Sequence, residues 1–262
     1  MNILLTNDDG IHAPGLKIAR KIASSIAGKG GKVIIVAPAS EQSGVAHSIS
    51  YVRPSLIEQI EENSYSVEGT PADCILAGID YVMNGKKPDL IISGINRGQN
   101  IAEDVLYSGT IGAAMEGAIH GIKSIALSQS YSKKTLKSPH LFDSARKYAV
   151  KVCKKLLLDD PFLEKDFNGF YNINFPACKA DQVRGIKVCK TGLRQENTFS
   201  ISSQISSAGK TFLWMNHKPT SSIPSPKSDG AYLKARYVTI SALQTELNWI
   251  EKNSQLKSLF EE

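Results

Sequence analysis

The fold is decided by the stretch Met1-Asn2-Ile3-Leu4-Leu5-Thr6-Asn7-Asp8-Asp9-Gly10, together with residues 16–26 and the apolar run at 33–37 that follow it. The run Ile3-Leu4-Leu5 ends at a polar cluster and predicts a short buried strand. Apolar residues at helical spacing over 16–26 predict a helix, and Val33-Ile34-Ile35-Val36-Ala37 predicts a second strand. Continuous apolar strands are typical of a parallel sheet buried on both faces. The strand–helix–strand order therefore predicts a right-handed crossover unit and an α/β fold.

The pattern of strands and helices is clear to about residue 158 and weaker after it. A polar insertion is predicted at 39–69, and a helix is predicted from Thr70. Further strands are predicted at 89–93, 125–127, 170–175 and 185–188, with short β pieces at 48–52, 55–60 and 65–67 and helices at 111–120 and 141–158.

The C-terminal part has a different composition. Residues 195–230 are rich in Ser, Lys and Pro, which favours an extended arm or hairpin over a packed core. A strand at 237–240 and a terminal helix at 243–259 follow. We therefore divide the chain into an α/β core at 1–185 and an appendage at 186–262, an extended arm or hairpin followed by a C-terminal helix.

Composition excludes several classes of protein. The chain has 262 residues, of which 42% are hydrophobic and 21% charged, and this balance excludes a largely disordered chain. The net charge of +6 comes from lysines spread along the chain, so we expect no nucleic-acid partner. No apolar run approaches the roughly 20 residues that a membrane span needs. The four cysteines form no C-x-x-C pair, so we expect reduced thiols and a cytoplasmic protein.

Two adjacent carboxylates, Asp8 and Asp9, directly follow the first predicted strand. The carboxyl ends of strands in open α/β sheets are where ligands bind. Like charges side by side repel, and a divalent cation relieves that repulsion because hard cations take carboxylate oxygens. The tetrapeptide Asn7-Asp8-Asp9-Gly10 is equally suited to a simple turn, so taken alone it leaves both readings open.

Three other polar loops are predicted at the same edge of the sheet. Asn96 follows the strand at 89–93 and offers both an amide oxygen and an amide N–H₂ group. Ser108-Gly109-Thr110 opens a helix whose free N–H groups suit a phosphate, although ordinary capping explains the same residues. Ser43 and His47 follow the second strand, and His47 reads as an acid, a phosphate donor or a plain loop residue.

Several familiar sites are absent from the sequence. There is no G-x-G-x-x-G opening the first helix, no Walker A motif, no G-x-S-x-G elbow and no zinc-ligand spacing. Strand-end loops rich in hard oxygen ligands and phosphate donors remain. This combination favours metal-assisted chemistry on a phosphate ester.

The sequence resembles SurE, the survival-protein E family of metal-dependent 5′(3′)-nucleotidases. The matching motifs are N-D-D-G at 7–10, A-P-x-x-x-x-S-G at 37–44, G-T-P-A-D-C at 69–74, S-G-I-N-x-G-x-N at 93–100 and Y-S-G-T-x-x-A-A-M-E-G at 107–117. The second half matches more loosely, through Asn172-Ile173-Asn174-Phe175-Pro176 and Asp229. Arg97 stands beside Asn96 where many members of that family have a small residue.

The resemblance implies a Rossmann-like three-layer α/β core with a mixed, mainly parallel sheet, a C-terminal β-hairpin arm and a terminal helix. It implies an arm exchanged between subunits in a homodimer or homotetramer. It implies one divalent cation per subunit, Mg²⁺ or Mn²⁺, with Asp8, Asp9, Ser43 and Asn96 as ligands. The catalytic residues are then Asp8, Asp9 and Asn96, and phosphate binds at Asn96, Ser108, Gly109 and Thr110.

The function implied is hydrolysis of nucleoside 5′- and 3′-monophosphates to nucleoside and phosphate, with activity on short polyphosphate. Either Asp8 or Asp9 acts as base for an attacking water, or Asp9 itself is the nucleophile. Two alternatives remain at the level of the sequence. One is a regulatory module that binds nucleotide or metal without turnover, and the other is a hydrolase of a different anionic ester.

Overall fold

The secondary structure alternates between strands and helices over most of the chain, as the apolar pattern predicts. The computed structural model describes residues 1–133, 135–159, 168–193, 199–217 and 225–261. Its strands are β1 (Asn2–Thr6), β2 (Lys32–Pro38), β3 (Ile57–Glu61), β4 (Ser64–Val67), β5 (Leu90–Arg97), β6 (Ser124–Gln129), β7 (Gly169–Phe175), β8 (Ile186–Val188), β9 (Phe199–Ile205), β10 (Thr211–His217) and β11 (Val238–Gln244). Its α-helices are α1 (Pro14–Ala27), α2 (Pro71–Leu76), α3 (Gly109–Ile119), α4 (Asp143–Asp159), α5 (Asp229–Lys234) and α6 (Ile250–Phe260).

One nine-stranded sheet has the strand order β3-β4-β2-β1-β5-β6-β7-β11-β8. The central strands are parallel, with Leu5 of β1 in register with Ile35 of β2 on one side and Ile92 of β5 on the other. β3 and β11 run antiparallel to their neighbours β4 and β7. The prediction of a mixed, mainly parallel α/β sheet is confirmed, and so is the C-terminal hairpin, formed by antiparallel β9 and β10.

Helices cover both faces of the sheet, which gives three layers. Ile3 and Leu5 point to the face covered by α1 and α4, whereas Leu4 points to the face of α2, where Ile75 is buried. All three strand residues are fully buried. Each such side chain contributes about 1.5–3 kcal/mol relative to its exposed state. The continuous apolar run is therefore required by burial on both faces.

Two local predictions are wrong, and a third needs a boundary correction. Residues 48–52 form a loop, where the sequence suggested a β piece; Tyr51 and Val52 are exposed there and meet no neighbouring strand. The terminal helix begins at Ile250, seven residues later than predicted, because Leu243 and Gln244 pair with β7 as part of β11. The helix predicted from Thr70 continues past α2 as a π-helical segment, Ala77–Val82.

The C-terminal segment contributes to the same sheet as the first half. β8 and β11 lie at one end of it, and the hairpin of β9 and β10 forms a separate two-stranded sheet. Parts of the predicted arm, at 194–198 and 218–224, lie outside the described residues. The division at residue 185 stays a prediction. No helix in the described segments has the length and apolarity needed to cross a membrane.

Candidate active site

A cleft of about 1100 Å³ opens at the carboxyl edge of the sheet, where β1, β2, β5 and β6 end. Five of the predicted site residues line it: Asp8, Asp9, Ser43, Asn96 and Ser108. They meet because parallel strands deliver their following loops to one edge of the sheet. Thr110 adjoins this group through a hydrogen bond to Asp8, and Gly109 lies between Ser108 and Thr110 at the start of α3.

Asp8 is held at the N-terminus of α3. Its Oδ1 accepts a hydrogen bond from the Thr110 hydroxyl at 2.7 Å, and its Oδ2 accepts one from the Thr110 N–H at 3.0 Å. Only 4% of the residue is exposed. Burial raises the pKa of Asp8 to about 6 despite the Thr110 hydroxyl, and the charge of Asp9 adds to the rise.

The turn that carries Asp8 also satisfies the turn interpretation of the sequence. The Asn7 side chain donates from Nδ2 to the carbonyl of Gly10 at 2.9 Å, which closes the tetrapeptide. Gly10 has a φ of +98°. The same four residues therefore make the turn and present two carboxylates to the cleft.

Asp9 is more accessible than Asp8. Its Oδ2 accepts the backbone N–H of Arg97 at 3.0 Å. Burial raises the pKa of Asp9, and Glu41 raises it further, while the N–H and the charge of Arg97 oppose the rise. Arg97, whose role the sequence left open, thus fixes Asp9 through its backbone, and its side chain lies in the cleft wall.

Asn96 is placed by an irregular turn within β5. The register between β5 and β6 shifts between Ser93 and Asn96. Gly94 has a φ of +129°, and a Cβ on it would lie 2.3 Å from the carbonyl oxygen of Leu127, so only glycine fits. Asn96 donates from Nδ2 to the Gly98 carbonyl at 3.2 Å, which leaves its amide oxygen as an acceptor for a ligand.

Buried amides fix the loop beyond Asn96. The carbonyl of Asn100 accepts from the side chains of Asn172 at 2.8 Å and Asn174 at 3.0 Å. Asn100 donates its own N–H to Asn174 Oδ1 and its side-chain amide to Ser128. The two asparagines of β7 that the resemblance singled out thus hold the cleft wall from behind and are not among the residues that line it.

Ser43 and Glu41 stand together on the loop after β2. The Ser43 hydroxyl donates to Glu41 Oε1 at 2.8 Å, and both residues line the cleft. Glu41 is a third carboxylate near Asp9 that the sequence analysis missed. The available signal was its position directly after a strand, which is the same signal that singled out Asp8 and Asp9.

His47 binds α3 and does not belong to the described lining of the cleft. Its Nε2 lies 2.5 Å from Glu116 Oε2, and His120 Nε2 lies 3.0 Å from Glu116 Oε1. Glu116 is 5% exposed, and the hydrogen bond from His47 is the main cause of its lowered pKa. Of the three interpretations offered by the sequence, the geometry favours a loop residue, here one that ties its loop to α3.

The donor set at the cleft suits a hard cation. No cluster of three or more His, Cys, Asp or Glu side chains able to hold a metal occurs within the described ranges. The predicted set combines two carboxylates with a hydroxyl and an amide oxygen, the donors that Mg²⁺ and Mn²⁺ take. Burial raises the pKa of both carboxylates, and the charge of Arg97 opposes that rise at Asp9. These residues therefore fit a divalent cation.

The first turn of α3 suits an anion. The Ser108 hydroxyl accepts the Ile111 N–H at 3.2 Å and so caps the helix. N–H groups in a first turn lack intrahelical acceptors and carry the positive end of the helix dipole. The Thr110 N–H and hydroxyl are both engaged by Asp8, so in this structure Thr110 positions that carboxylate. The cleft thus combines an acidic, cation-compatible side with the positive end of the α3 dipole.

Comparisons with known proteins show which family this chain is similar to. The model of the family described as survival protein SurE matches residues 3–198. A protein of Ruegeria pomeroyi named 5′-nucleotidase SurE is 43% identical over 247 residues, covering 94% of this chain and 95% of its own length. One of the same name from Cereibacter sphaeroides is 41% identical, with 99% of each chain covered. The crystal structure of SurE protein from Aquifex aeolicus superposes with a TM-score of 0.81 at 33% identity, with 99% of each chain covered.

Proposed function

The chain belongs to the survival protein SurE family, and from that premise we propose that it is a 5′-nucleotidase, a hydrolase that converts nucleoside 5′-monophosphates to nucleoside and phosphate. The observation that carries the proposal is the pairing of Asp8 and Asp9 in one cleft with the N-terminus of α3. Pure phosphate binding gains nothing from two adjacent carboxylates, which repel an anion unless a cation intervenes. In catalysis at a phosphoryl group, the two carboxylates can bind the cation and accept a proton.

We propose that the cleft holds one divalent cation per subunit, Mg²⁺ or Mn²⁺. The ligands are the side chains of Asp8, Asp9, Ser43 and Asn96. When bound, such an ion polarises a phosphoryl oxygen and neutralises developing charge. The buried, hydrogen-bonded carboxylate of Asp8 is the fixed member of the set, since both of its oxygens are held by Thr110.

Within this site, phosphate binding and proton transfer are carried out by different residues. Ser108 and Gly109 at the start of α3, together with the Asn96 side chain, bind the phosphate and stabilise charge on its equatorial oxygens. Asp9 keeps one oxygen clear of the Arg97 N–H, so it is the group placed to take the proton of an attacking water. The water oxygen bonds to phosphorus and the ester P–O bond breaks. The nucleoside oxygen takes a proton from solvent, and Asp9 returns to solvent the proton that it took from the water.

We extend the proposal to 3′-monophosphates and short polyphosphate. Lys133 and Lys137 are among the residues that line the cleft. A basic lining accepts a phosphate from either ribose position and attracts additional phosphate groups.

We propose that the chain forms a homodimer or homotetramer. The hairpin exposes Phe212, Trp214 and Met215 at 55%, 59% and 71%. Helix α6 has no buried residue, and a helix of 11 residues on its own is marginal in water. A second copy of the chain covering these segments explains both features.

The test of the proposed activity is phosphate release from a panel of nucleoside 5′- and 3′-monophosphates and from short polyphosphate, with Mg²⁺ or Mn²⁺ and with chelator. We expect release that chelator abolishes. Asp9→Asn should lower kcat at least about a hundredfold, since a proton acceptor contributes about 10² to 10⁴. Asp159→Asn, at an exposed ion pair with Lys155, is the matched control and should retain activity.

Two results would contradict the proposal. Tight nucleotide binding without any phosphate release would identify a binding module. Near-normal turnover of Asp9→Asn would show that the reacting group lies elsewhere. An acid-stable phosphate label trapped on Asp9 would show that Asp9 itself attacks phosphorus and forms an aspartyl-phosphate, in place of direct attack by water.

A further inference from the structure

Asp229 is a buried carboxylate in the cleft wall, and none of its recorded hydrogen bonds is with Asp8 or Asp9. It is 0% exposed and lines the same cleft. Asp229 forms no ion pair with any of the described residues, although an unpaired buried charge is costly. Burial raises the pKa of Asp229, and three backbone N–H groups oppose that rise.

Three backbone N–H groups converge on the two oxygens of Asp229. Oδ1 accepts from Gly192 at 2.9 Å and from Gly230 at 2.7 Å, and Oδ2 accepts from Ala102 at 3.1 Å. The Asp229 N–H in turn donates to the Lys190 carbonyl at 3.1 Å. Ordinary capping of the short helix α5 accounts only for contacts with its own turn. It does not explain bonds to segments 37 and 127 residues away in sequence.

Each segment held by Asp229 is a wall of the cleft. Ile101 and Ala102 belong to the loop after β5, and Leu193 follows the bonded Gly192. Ala102 has a φ of +49°, a left-handed conformation that is unfavourable for a non-glycine residue and persists only when the surrounding structure holds it. The 3₁₀ turn Ala102–Leu106 begins there and leads to Ser108 at the start of α3.

We infer that Asp229 is a positioning residue that assembles the nucleoside end of the cleft. The inference rests on the proposed function. Asp8, Asp9 and Asn96 come from the first half of the chain and make none of their recorded hydrogen bonds with Asp229. The wall of 101–102 and 192–193 forms only when Asp229 joins the C-terminal segment to the loop after β5. Phosphate binding and nucleoside binding are therefore separable.

Asp229→Asn is the direct test, because the amide keeps the shape but presents N–H₂ to at least one of the three donors. We expect KM for nucleoside 5′-monophosphates to rise about tenfold or more. The inhibition constant for inorganic phosphate should stay within about twofold, and so should kcat. Asp73→Asn is the matched control. Asp73 also accepts two backbone N–H groups, from Thr70 and Ser50, but it does not line the cleft. The KM of the Asp73→Asn variant for nucleoside 5′-monophosphates should therefore equal that of the parent protein.

A second variant covers the case in which Asp229→Asn does not fold. Leu193 is 72% exposed, so Leu193→Ala leaves the core intact while it removes part of the wall. It should also raise KM for the nucleotide and spare phosphate inhibition. The inference is overturned if phosphate inhibition weakens as much as nucleotide affinity, or if neither variant changes KM.

Failure of the inference can be told apart from failure of the proposed function. If the unsubstituted protein releases no phosphate from any nucleotide, the proposed function fails, and calorimetric titration with nucleoside monophosphate then decides the inference. Weaker binding to Asp229→Asn at unchanged phosphate binding supports it. Equal binding, or no nucleotide binding by the unsubstituted protein, overturns it.

Discussion

Asp8 shows how a functional residue works against the stability of its own fold. Its raised pKa, about 6 against an ordinary 3.8, means that the folded protein holds the proton more tightly than the unfolded chain. Stability from this group is fully present below pH 3.8 and is lost as pH rises through about 6. The site therefore carries an uncompensated charge at neutral pH unless a cation binds.

Asp8→Asn should raise the free energy of unfolding of the metal-free protein at pH 7. Two pKa units correspond to about 3 kcal/mol, and the amide still accepts the Thr110 N–H and donates to the Thr110 hydroxyl. Turnover should be abolished in the same variant. Denaturant unfolding with chelator at pH 4 and at pH 7 compares the free energy of unfolding of the variant with that of the parent protein. A variant that is less stable than the parent at pH 7 would contradict the account.

Glu116 gives the opposite pH dependence. Its pKa lies below the ordinary 4.5, chiefly through the hydrogen bond from His47, and His120 adds to the effect. The stability that it contributes is present above pH 4.5 and is lost as pH falls through its folded-state pKa. Glu116→Gln should cost about 1.5–3 kcal/mol at pH 6, the range for a hydrogen bond to a charged group.

Urea unfolding from pH 6 downward tests this difference, which should shrink in acid. Glu58→Gln, at an exposed position of β3, is the control and should show no such trend. A constant difference across the range would assign the effect of Glu116 to packing.

At the level of elements, the site depends on how closely the loop after β2 approaches α3. A Cβ on Gly112 would lie 2.4 Å from the Ala46 carbonyl oxygen, and the Ala46 N–H donates to the Tyr107 carbonyl at 2.9 Å. The loop that carries Ser43 is thus seated directly on the helix. Glycine at position 112 is required by this contact and not by helix formation, for which alanine is the better residue.

Gly112→Ala should therefore destabilise the protein by about 1–3 kcal/mol, the usual cost of overpacking. It should also weaken Mn²⁺ binding, because the loop with Ser43 must move. Thermal unfolding and direct Mn²⁺ titration by electron paramagnetic resonance measure the two effects. Ile119→Ala on the same helix is the control, since Ile119 is 53% exposed. If Gly112→Ala binds Mn²⁺ normally, Ser43 is not a ligand.

Local pattern and tertiary pairing competed at several elements. The helix predicted at 243–259 begins only at Ile250, because Leu243 and Gln244 pair with β7 as part of β11. The β-like residues at 48–52 form a loop, in which the Ser48 carbonyl accepts from the Thr70 hydroxyl and the Ser50 N–H donates to Asp73. Patterns of this length are compatible with more than one element, so the neighbour in space decides between them.

At the scale of the whole molecule, the hairpin and α6 leave the single chain with an extended apolar surface. Tyr107 meets Phe199 edge to face at 5.4 Å, which connects the base of the hairpin to the cleft. Phe212 and Trp214, two positions apart on β10, share one face of the hairpin. A second copy bound at this surface would thus lie near the substrate.

The double variant Phe212→Ser, Trp214→Ser should reduce the oligomer to smaller species, because it removes two large side chains from the proposed contact. Light scattering coupled to size-exclusion chromatography gives the mass directly. Lys210→Ala in the hairpin turn should leave the mass unchanged. A monomeric parent protein, or a double variant of parental mass, would remove the hairpin from the assembly.

The sequence by itself determined the α/β class, the parallel centre of the sheet and the edge that carries the site. These follow from short-range signals, since continuous apolar strands alternate with helices and each ends at a polar loop. The same signals indicated Asp8, Asp9, Ser43 and Asn96, because strand order places such loops together. Only the tertiary structure decided what those residues contact. Thr110 engages Asp8, Glu41 joins the cleft, His47 turns to Glu116, and Asp229 bonds to Ala102 across 127 residues. Hydrogen bonds between residues distant in sequence leave no periodic trace, so folding alone reveals them.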